Sequence, residues 1–161
     1  MKPRTKARGI ALQALYEIDM TGHAAGIVIE NRFLETPLST SNLEDFARKI
    51  ILGVVPIREQ LDQFIAEHAP EWPIDQVSII DRNLLRIALW EFAVSGETPI
   101  KVAINEAIEL AKKYGADSTP RFVNGVLGSL AERQNEIRQS LSAVVGKGNK
   151  PNPPKNQEES D

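Results

Sequence analysis

Residues 77–94, VSIIDRNLLRIALWEFAV, form the most apolar stretch of the chain and decide its fold class. Apolar side chains recur there with helical spacing and occupy most of the helix circumference. Such a helix is typical of the centre of a bundle, because a helix at the surface carries only one apolar stripe. The stretch therefore predicts a central buried helix that ends at Ser95-Gly96.

Helical patterns continue on both sides of this segment. In chain order they cover residues 5–20, 25–34, 43–65, 99–113 and 118–144. A break is expected at Pro56, because proline removes a backbone hydrogen bond inside a helix. Alternating strand patterns do not persist beyond a few residues. The sequence predicts an all-α fold of six or seven helices over residues 1–145. Residues 146–161, GKGNKPNPPKNQEESD, contain no apolar side chain and predict a disordered tail.

Composition excludes several classes of site. The chain has no cysteine and two histidines, so disulfides and thiolate metal sites are excluded, and a multi-histidine metal site is not expected. No Gly-rich phosphate loop or Ser/His motif occurs. We therefore expect a non-catalytic protein without a cofactor. No apolar run reaches the roughly 20 residues of a membrane span, which predicts a soluble, cytoplasmic protein.

The chain begins with a basic arm, MKPRTKAR, although its net charge is −3. Lys2, Arg4, Lys6 and Arg8 stand there without an acid. Cations at a helix N-terminus are repelled by the positive end of the helix dipole. The arm is therefore locally unfavourable unless a polyanion binds it. Nucleic acid is the leading candidate, since its phosphates supply the missing charge. The alternative is a solvated, disordered start.

A second candidate anion site is GADSTPR, residues 115–121, followed by Phe122. A loop there delivers hydroxyls, backbone N–H groups and an arginine to the start of a helix, which are the usual ingredients for holding phosphate. An exposed Phe122 could stack on a base. In the alternative interpretation, Ser118 caps the helix, Arg121 is surface charge and Phe122 is core.

Polar residues also interrupt the apolar central region. Asp75, Asp81 and Arg82 stand at or before the start of its helix, where polar side chains must face outward or find partners. They indicate either a docking surface for another protein or ordinary solubilising polarity.

Four sequence blocks carry a resemblance to a known family. They are RNLLRIALWE (82–91), PIKVAINEA (99–107), ELAKKYG (109–115) and RFVNGVL (121–127), preceded by ALQALY (11–16) behind the basic start. In their order and spacing the chain resembles the bacterial antitermination factor NusB family over about residues 4–131. Pro3 within the arm and the tail after residue 146 depart from that pattern.

The resemblance implies two small packed helical subdomains and an RNA-binding function without catalysis. Proteins of this family bind the single-stranded boxA element of nascent ribosomal RNA together with NusE, a small-subunit ribosomal protein, and join other Nus factors on RNA polymerase. Family RNA contacts match Lys2, Arg4, Lys6, Arg8, Ser118, Arg121 and Phe122. Acidic positions facing NusE match Asp75 and Asp81.

Other interpretations stay open at this point. Some family members self-associate through the surface that otherwise meets RNA, so a homodimer is compatible with the sequence. Similar helical domains also stand at the front of ribosomal-RNA cytosine methyltransferases as RNA-binding appendages. A third interpretation is a purely protein-binding adaptor whose basic arm is incidental.

Overall fold

The computed structural model describes residues 1–69 and 73–149, which form helices and the turns between them. The α-helices are α1 (Pro3–Thr21), α2 (Ala25–Glu35), α3 (Ser41–Val54), α4 (Arg58–Glu67), α5 (Ile79–Leu89), α6 (Ile100–Tyr114), α7 (Thr119–Ala131) and α8 (Gln134–Asn149). None of these helices is long and apolar enough to cross a membrane.

Helices α1 to α3 form the first of two helical groups. Helix α3 begins where the hydroxyl of Thr40 accepts a hydrogen bond from the backbone N–H of Leu43 at 3.2 Å, a standard N-terminal cap. The predicted break at Pro56 is confirmed. A 3₁₀ turn, Val55–Ile57, separates α3 from α4 there.

Helices α4 to α8 form the second group, in which α4 packs on α5 and α7. Helix α5 runs directly into a π-helical segment, Trp90–Ser95, that ends at Gly96 with φ +70°. The carbonyl of Phe92 in this segment accepts hydrogen bonds from Gln134 (3.0 Å) and Arg138 (2.8 Å) of α8. The side chains of α8 thus satisfy a backbone acceptor of the π-helix and hold α8 against it.

The two groups share one continuous apolar core. The predicted central helix contributes side chains with almost no exposure, among them Leu84, Leu85, Leu89 and Phe92. Helix α1 packs against α3 of its own group and against α5 of the other. The predicted all-α class with two packed helical groups is confirmed.

Two boundaries near the C-terminus differ from the prediction. Residues 118–144 form α7 and α8, because a turn at residues 132–133 ends α7. The described residues therefore contain eight α-helices, where six or seven were expected. Helix α8 also continues to Asn149, four residues into the predicted tail. The rest of that prediction concerns residues 150–161, which lie outside the described residues.

Candidate nucleic-acid interface

Three of the four predicted arm cations lie exposed at the start of α1. Lys2 occupies the N-cap position, Pro3 is the first helical residue, and the first turn contains no acid. Lys2, Arg4 and Lys6 are all exposed. Their charges add to the positive end of the helix dipole, so this end of α1 can bind an anion.

Arg8 corrects the predicted set, because its side chain is buried. Its guanidinium donates two hydrogen bonds of 2.8 Å to the carboxylate of Glu91 and lies 3.3 Å from Glu106. Only 3% of Arg8 and 2% of Glu91 are exposed. Arg8 is therefore committed to an internal ion pair and cannot reach a phosphate on the surface.

The ion pair belongs to a buried polar cluster that fixes the arm on the body. The hydroxyl of Thr98 donates to Glu91 at 2.7 Å, and that of Thr5 donates to Glu106 at 2.6 Å. On the same face of α1, the guanidinium groups of Arg4 and Arg8 lie 4.5 and 4.9 Å from the ring centroid of Phe46, which are cation–π distances.

The second predicted segment is built around Thr119. Its hydroxyl donates to Asp81 at 2.9 Å and accepts from the backbone N–H of Ala116 at 3.0 Å. A Cβ atom at Gly115 would lie 2.6 Å from the Thr119 side chain, so the loop needs glycine at that position. Ser118 is the N-cap residue, but its side chain makes no capping hydrogen bond.

The RNA residues predicted in the second segment share one groove with Asp81, a predicted partner residue. Its cavity of about 380 Å³ lies between residues 76–81 and the start of α7. Asp81 stands on one wall, and Ser118, Arg121 and Phe122 stand on the other. Ser118 and Arg121 are exposed, whereas Phe122 is half-buried against the core. Asp75 is exposed nearby, in the short 3₁₀ turn Ile74–Gln76.

Arg82 does not extend this groove as a free cation. Its guanidinium donates to the backbone carbonyl of Val77 at 3.0 Å, and the side chain is half-buried. Arg82 thus stays a predicted partner residue with Asp75 and Asp81, and this hydrogen bond fixes its guanidinium.

The two basic segments lie at opposite ends of α1. The amide of Asn83, two residues beyond Asp81 on α5, donates to Asp19 in the last turns of α1 at 2.9 Å. The start of α7, held by Asp81, therefore lies toward the C-terminal end of α1, whereas Lys2 stands at the N-terminal end. Sequence order alone could not give this separation.

Helix α6 runs parallel to α1 and joins the two ends. Thr5 contacts Glu106, and Gln13 donates to the hydroxyl of Tyr114 at 2.9 Å. Gly9 allows the close approach, since a Cβ there would lie 3.3 Å from the Tyr114 hydroxyl. The surface between the segments therefore consists of α1 and the C-terminal half of α6.

Two residues on this connecting surface were not predicted as site residues. Tyr16 of α1 is 39% exposed, and Lys113 of α6 is exposed beside Tyr114. The sequence held a signal for Tyr16, because helical spacing places it with Gln13 and Met20 on the side of α1 opposite its apolar stripe. Lys113 stands in the last turn of α6, where the helix dipole already favours a cation and gives no separate signal of a site.

A second buried charge cluster, at the far end of α1, stabilises the fold. Arg86 donates to Asp19 at 2.8 Å and to Asp62 at 2.6 and 2.8 Å. Burial raises the pKa of Asp19. Hydrogen bonds from Asn83, Arg58 and Arg86, together with the charge of Arg86, lower it by a larger amount, so the pKa lies below its ordinary value. The carboxylate therefore stays ionised and ties α1 to α5.

Comparison with known proteins relates the chain to one family. A family model described as the NusB family matches residues 5–132. The transcription antitermination protein NusB of Dehalococcoides mccartyi is 47% identical over 129 residues, which are 80% of this chain and 90% of that protein. That of Bacillus subtilis is 39% identical over 140 residues, 87% of this chain and 100% of that protein.

Solved structures agree with the sequence relatives. T. maritima NusB matches with a TM-score of 0.76 and 30% identity, over 86% of this chain and 99% of that one. A chain in the crystal structure of antitermination factors NusB and NusE in complex with dsRNA matches with a TM-score of 0.72 and 26% identity. That match covers 87% of this chain and 98% of the other.

Proposed function

This chain belongs to the NusB family, and we propose that it is a non-catalytic transcription antitermination factor that binds boxA of nascent ribosomal RNA together with NusE. One observation carries the proposal: exposed cations stand at both ends of a single α1–α6 surface. The related structure of NusB and NusE in complex with dsRNA supports the pairing with NusE and the binding of RNA. Such a factor acts in the cytoplasm, with other Nus factors on RNA polymerase.

The RNA contacts come from both basic segments. Lys2, Arg4 and Lys6 neutralise phosphates at the start of α1, and Arg121 does so at the start of α7. Ser118 offers its uncommitted hydroxyl, and Phe122 stacks on a base. Because stacking on a side chain needs a base that has left its own helix, the bound form is single-stranded.

NusE docks at the acidic edge formed by Asp75 and Asp81. Asp81 shares its groove with Ser118, Arg121 and Phe122, so a protein seated on this edge also borders the RNA. The RNA site is therefore completed by the partner. Complementary charge of this kind steers encounter and selects the partner.

The other interpretations explain less. The chain matches 90% and 100% of the length of two relatives named as antitermination proteins. A methyltransferase appendage or a pure adaptor does not explain this match. A homodimer through the α1–α6 surface would cover the RNA contacts. The homodimer would therefore compete with RNA for this surface, and RNA binding would dissociate it.

Calorimetry with purified NusE tests the partner surface. Asp75→Lys should weaken NusE binding at least tenfold at low salt, about 1.4 kcal/mol, and leave the fold intact because Asp75 is exposed. Asp81→Asn removes the charge but keeps an acceptor for Thr119. We expect it to weaken NusE binding as well, while Glu35→Lys on α2 serves as the control. Equal NusE affinity for wild type and Asp75→Lys would place the interface elsewhere.

A further inference from the structure

A cleft lies between the start of α1 and the outer side of α6, beside the basic arm. Its cavity volume is about 700 Å³, within the range of sites that bind small organic groups. Lys2 borders it from α1, and Asn105, Ile108, Glu109 and Lys112 border it from α6. Lys2 is the only member of this lining that the proposed function uses.

The polar groups of the cleft are not equally available. Glu106 is engaged by Thr5 at 2.6 Å, and Glu109 lies 3.4 Å from the ammonium of Lys112. Asn105 is exposed, and its amide presents a donor and an acceptor side by side. Lys2 and Lys112 add a positive charge on each of the two helices. The cleft thus combines a hydrogen-bonding pair with flanking cations.

We propose that this cleft receives one unpaired adenine of the bound RNA, read by Asn105. The inference rests on the proposed function, which it deepens by naming a base-selective subsite. An asparagine amide pairs with the amino group and the adjacent ring nitrogen of adenine through two hydrogen bonds. Lys2 and Lys112 contact the flanking phosphates, which position the strand without reading its sequence.

The exposed carboxylate of Glu109 strengthens the choice of base. Its oxygens only accept hydrogen bonds when ionised, so they favour an exocyclic amino group and repel carbonyl oxygens. Adenine carries an amino group and no carbonyl, whereas uracil carries two carbonyls. A strand that leaves Lys2 toward α6 therefore places adenine in the cleft in preference to uracil.

Fluorescence anisotropy with three 12-nucleotide RNAs tests this subsite in the full chain. The strands are oligoadenylate, oligouridylate and an oligomer of purine riboside, which lacks the amino group of adenine. Wild type should bind oligoadenylate at least about fivefold more tightly than the other two, the lower end expected for a paired amide contact. Asn105→Ala should remove that preference and leave oligouridylate affinity unchanged. Asn135→Ala, at an exposed position on α8, is the matched control and should keep the preference.

The outcomes separate the subsite from the function on which it rests. If wild type and Asn105→Ala show the same ratio of affinities for oligoadenylate and purine oligomer, the subsite is overturned while RNA binding stands. Equal loss of affinity for all three strands in Asn105→Ala would likewise overturn base selection by this residue. If wild type binds none of the strands at low salt, the proposed function fails and the subsite fails with it.

Discussion

The guanidinium of Arg8 and the carboxylate of Glu91 meet through two hydrogen bonds of 2.8 Å each, although 83 residues separate them in sequence. Both side chains are almost completely buried. Paired hydrogen bonds between arginine and a carboxylate are among the strongest in proteins. This contact holds the start of α1 against the π-helical segment and so fixes where Lys2, Arg4 and Lys6 stand on the surface.

Removing Arg8 should therefore reduce stability rather than remove an RNA contact. We expect Arg8→Ala to lower the free energy of unfolding by roughly 3–5 kcal/mol, because Glu91 is left buried without its cation. Arg4→Ala removes a neighbouring exposed cation and should cost about 1 kcal/mol or less. Urea unfolding measures both. Similar losses in the two variants would show that the buried pair does not hold α1.

The exposed arm cations should set the salt dependence of RNA binding. Four phosphate contacts, from Lys2, Arg4, Lys6 and Arg121, give a slope of log K against log[salt] near −3, at about −0.7 per contact for single strands. Lys6→Ala should flatten the slope by about 0.7. Arg48→Ala, a cation of α3 paired with Asp45, is the control. A slope unaltered by Lys6→Ala would show that the arm is not at the RNA.

Phe122 should contribute more to RNA affinity than to stability. It is half-buried, so Phe122→Ala should cost roughly 1–3 kcal/mol of RNA binding through lost stacking. Its stability loss should be smaller than the roughly 3–5 kcal/mol expected for Phe92→Ala, since Phe92 is fully buried. Anisotropy and urea unfolding on both variants decide this. A stability loss at Phe122 equal to that at Phe92, with RNA affinity retained, would make Phe122 a core residue only.

Asp19 should make the fold sensitive to acid. Its pKa in the folded protein lies below the ordinary value of 3.8, so its ion pairs stabilise the fold above that pH, and their contribution is lost as the pH falls through the lowered pKa. Asp19→Asn should unfold more easily than wild type at pH 7, and the difference should shrink between pH 4 and pH 2. Urea titrations across this range measure it. A difference that stays constant with pH would exclude Asp19 as the source.

Local pattern was enough to predict most of the helices. The apolar spacing of residues 77–94 marks the central helix, and Pro56 marks a real break, because both effects act within a few residues. The separation of α7 from α8 was missed because an apolar period crosses the turn at residues 132–133. The π-helix was also missed, since the α8 side chains that bind its Phe92 carbonyl come from a distant part of the chain.

Local pattern predicted the arrangement of the candidate site less well than it predicted the helices. Arg8 is one of the four cations of the basic arm, and no local signal distinguishes it from Lys6. Only the long-range contact with Glu91 shows that Arg8 is buried. The shared groove of Asp81 and Arg121 likewise arises when α5 and α7 pack together. Residue types that can hold RNA were visible in the sequence, whereas their grouping depends on tertiary structure.

We expect RNA and NusE to bind this chain at adjoining surfaces and to complete one site. Anisotropy with a labelled single-stranded boxA RNA, with and without saturating NusE at one fixed salt concentration, measures the coupling between them. NusE should tighten RNA binding at least tenfold, and Asp75→Lys should abolish this gain while leaving the affinity of the chain alone for RNA unchanged or slightly higher. Equal affinity for boxA with and without NusE would contradict it.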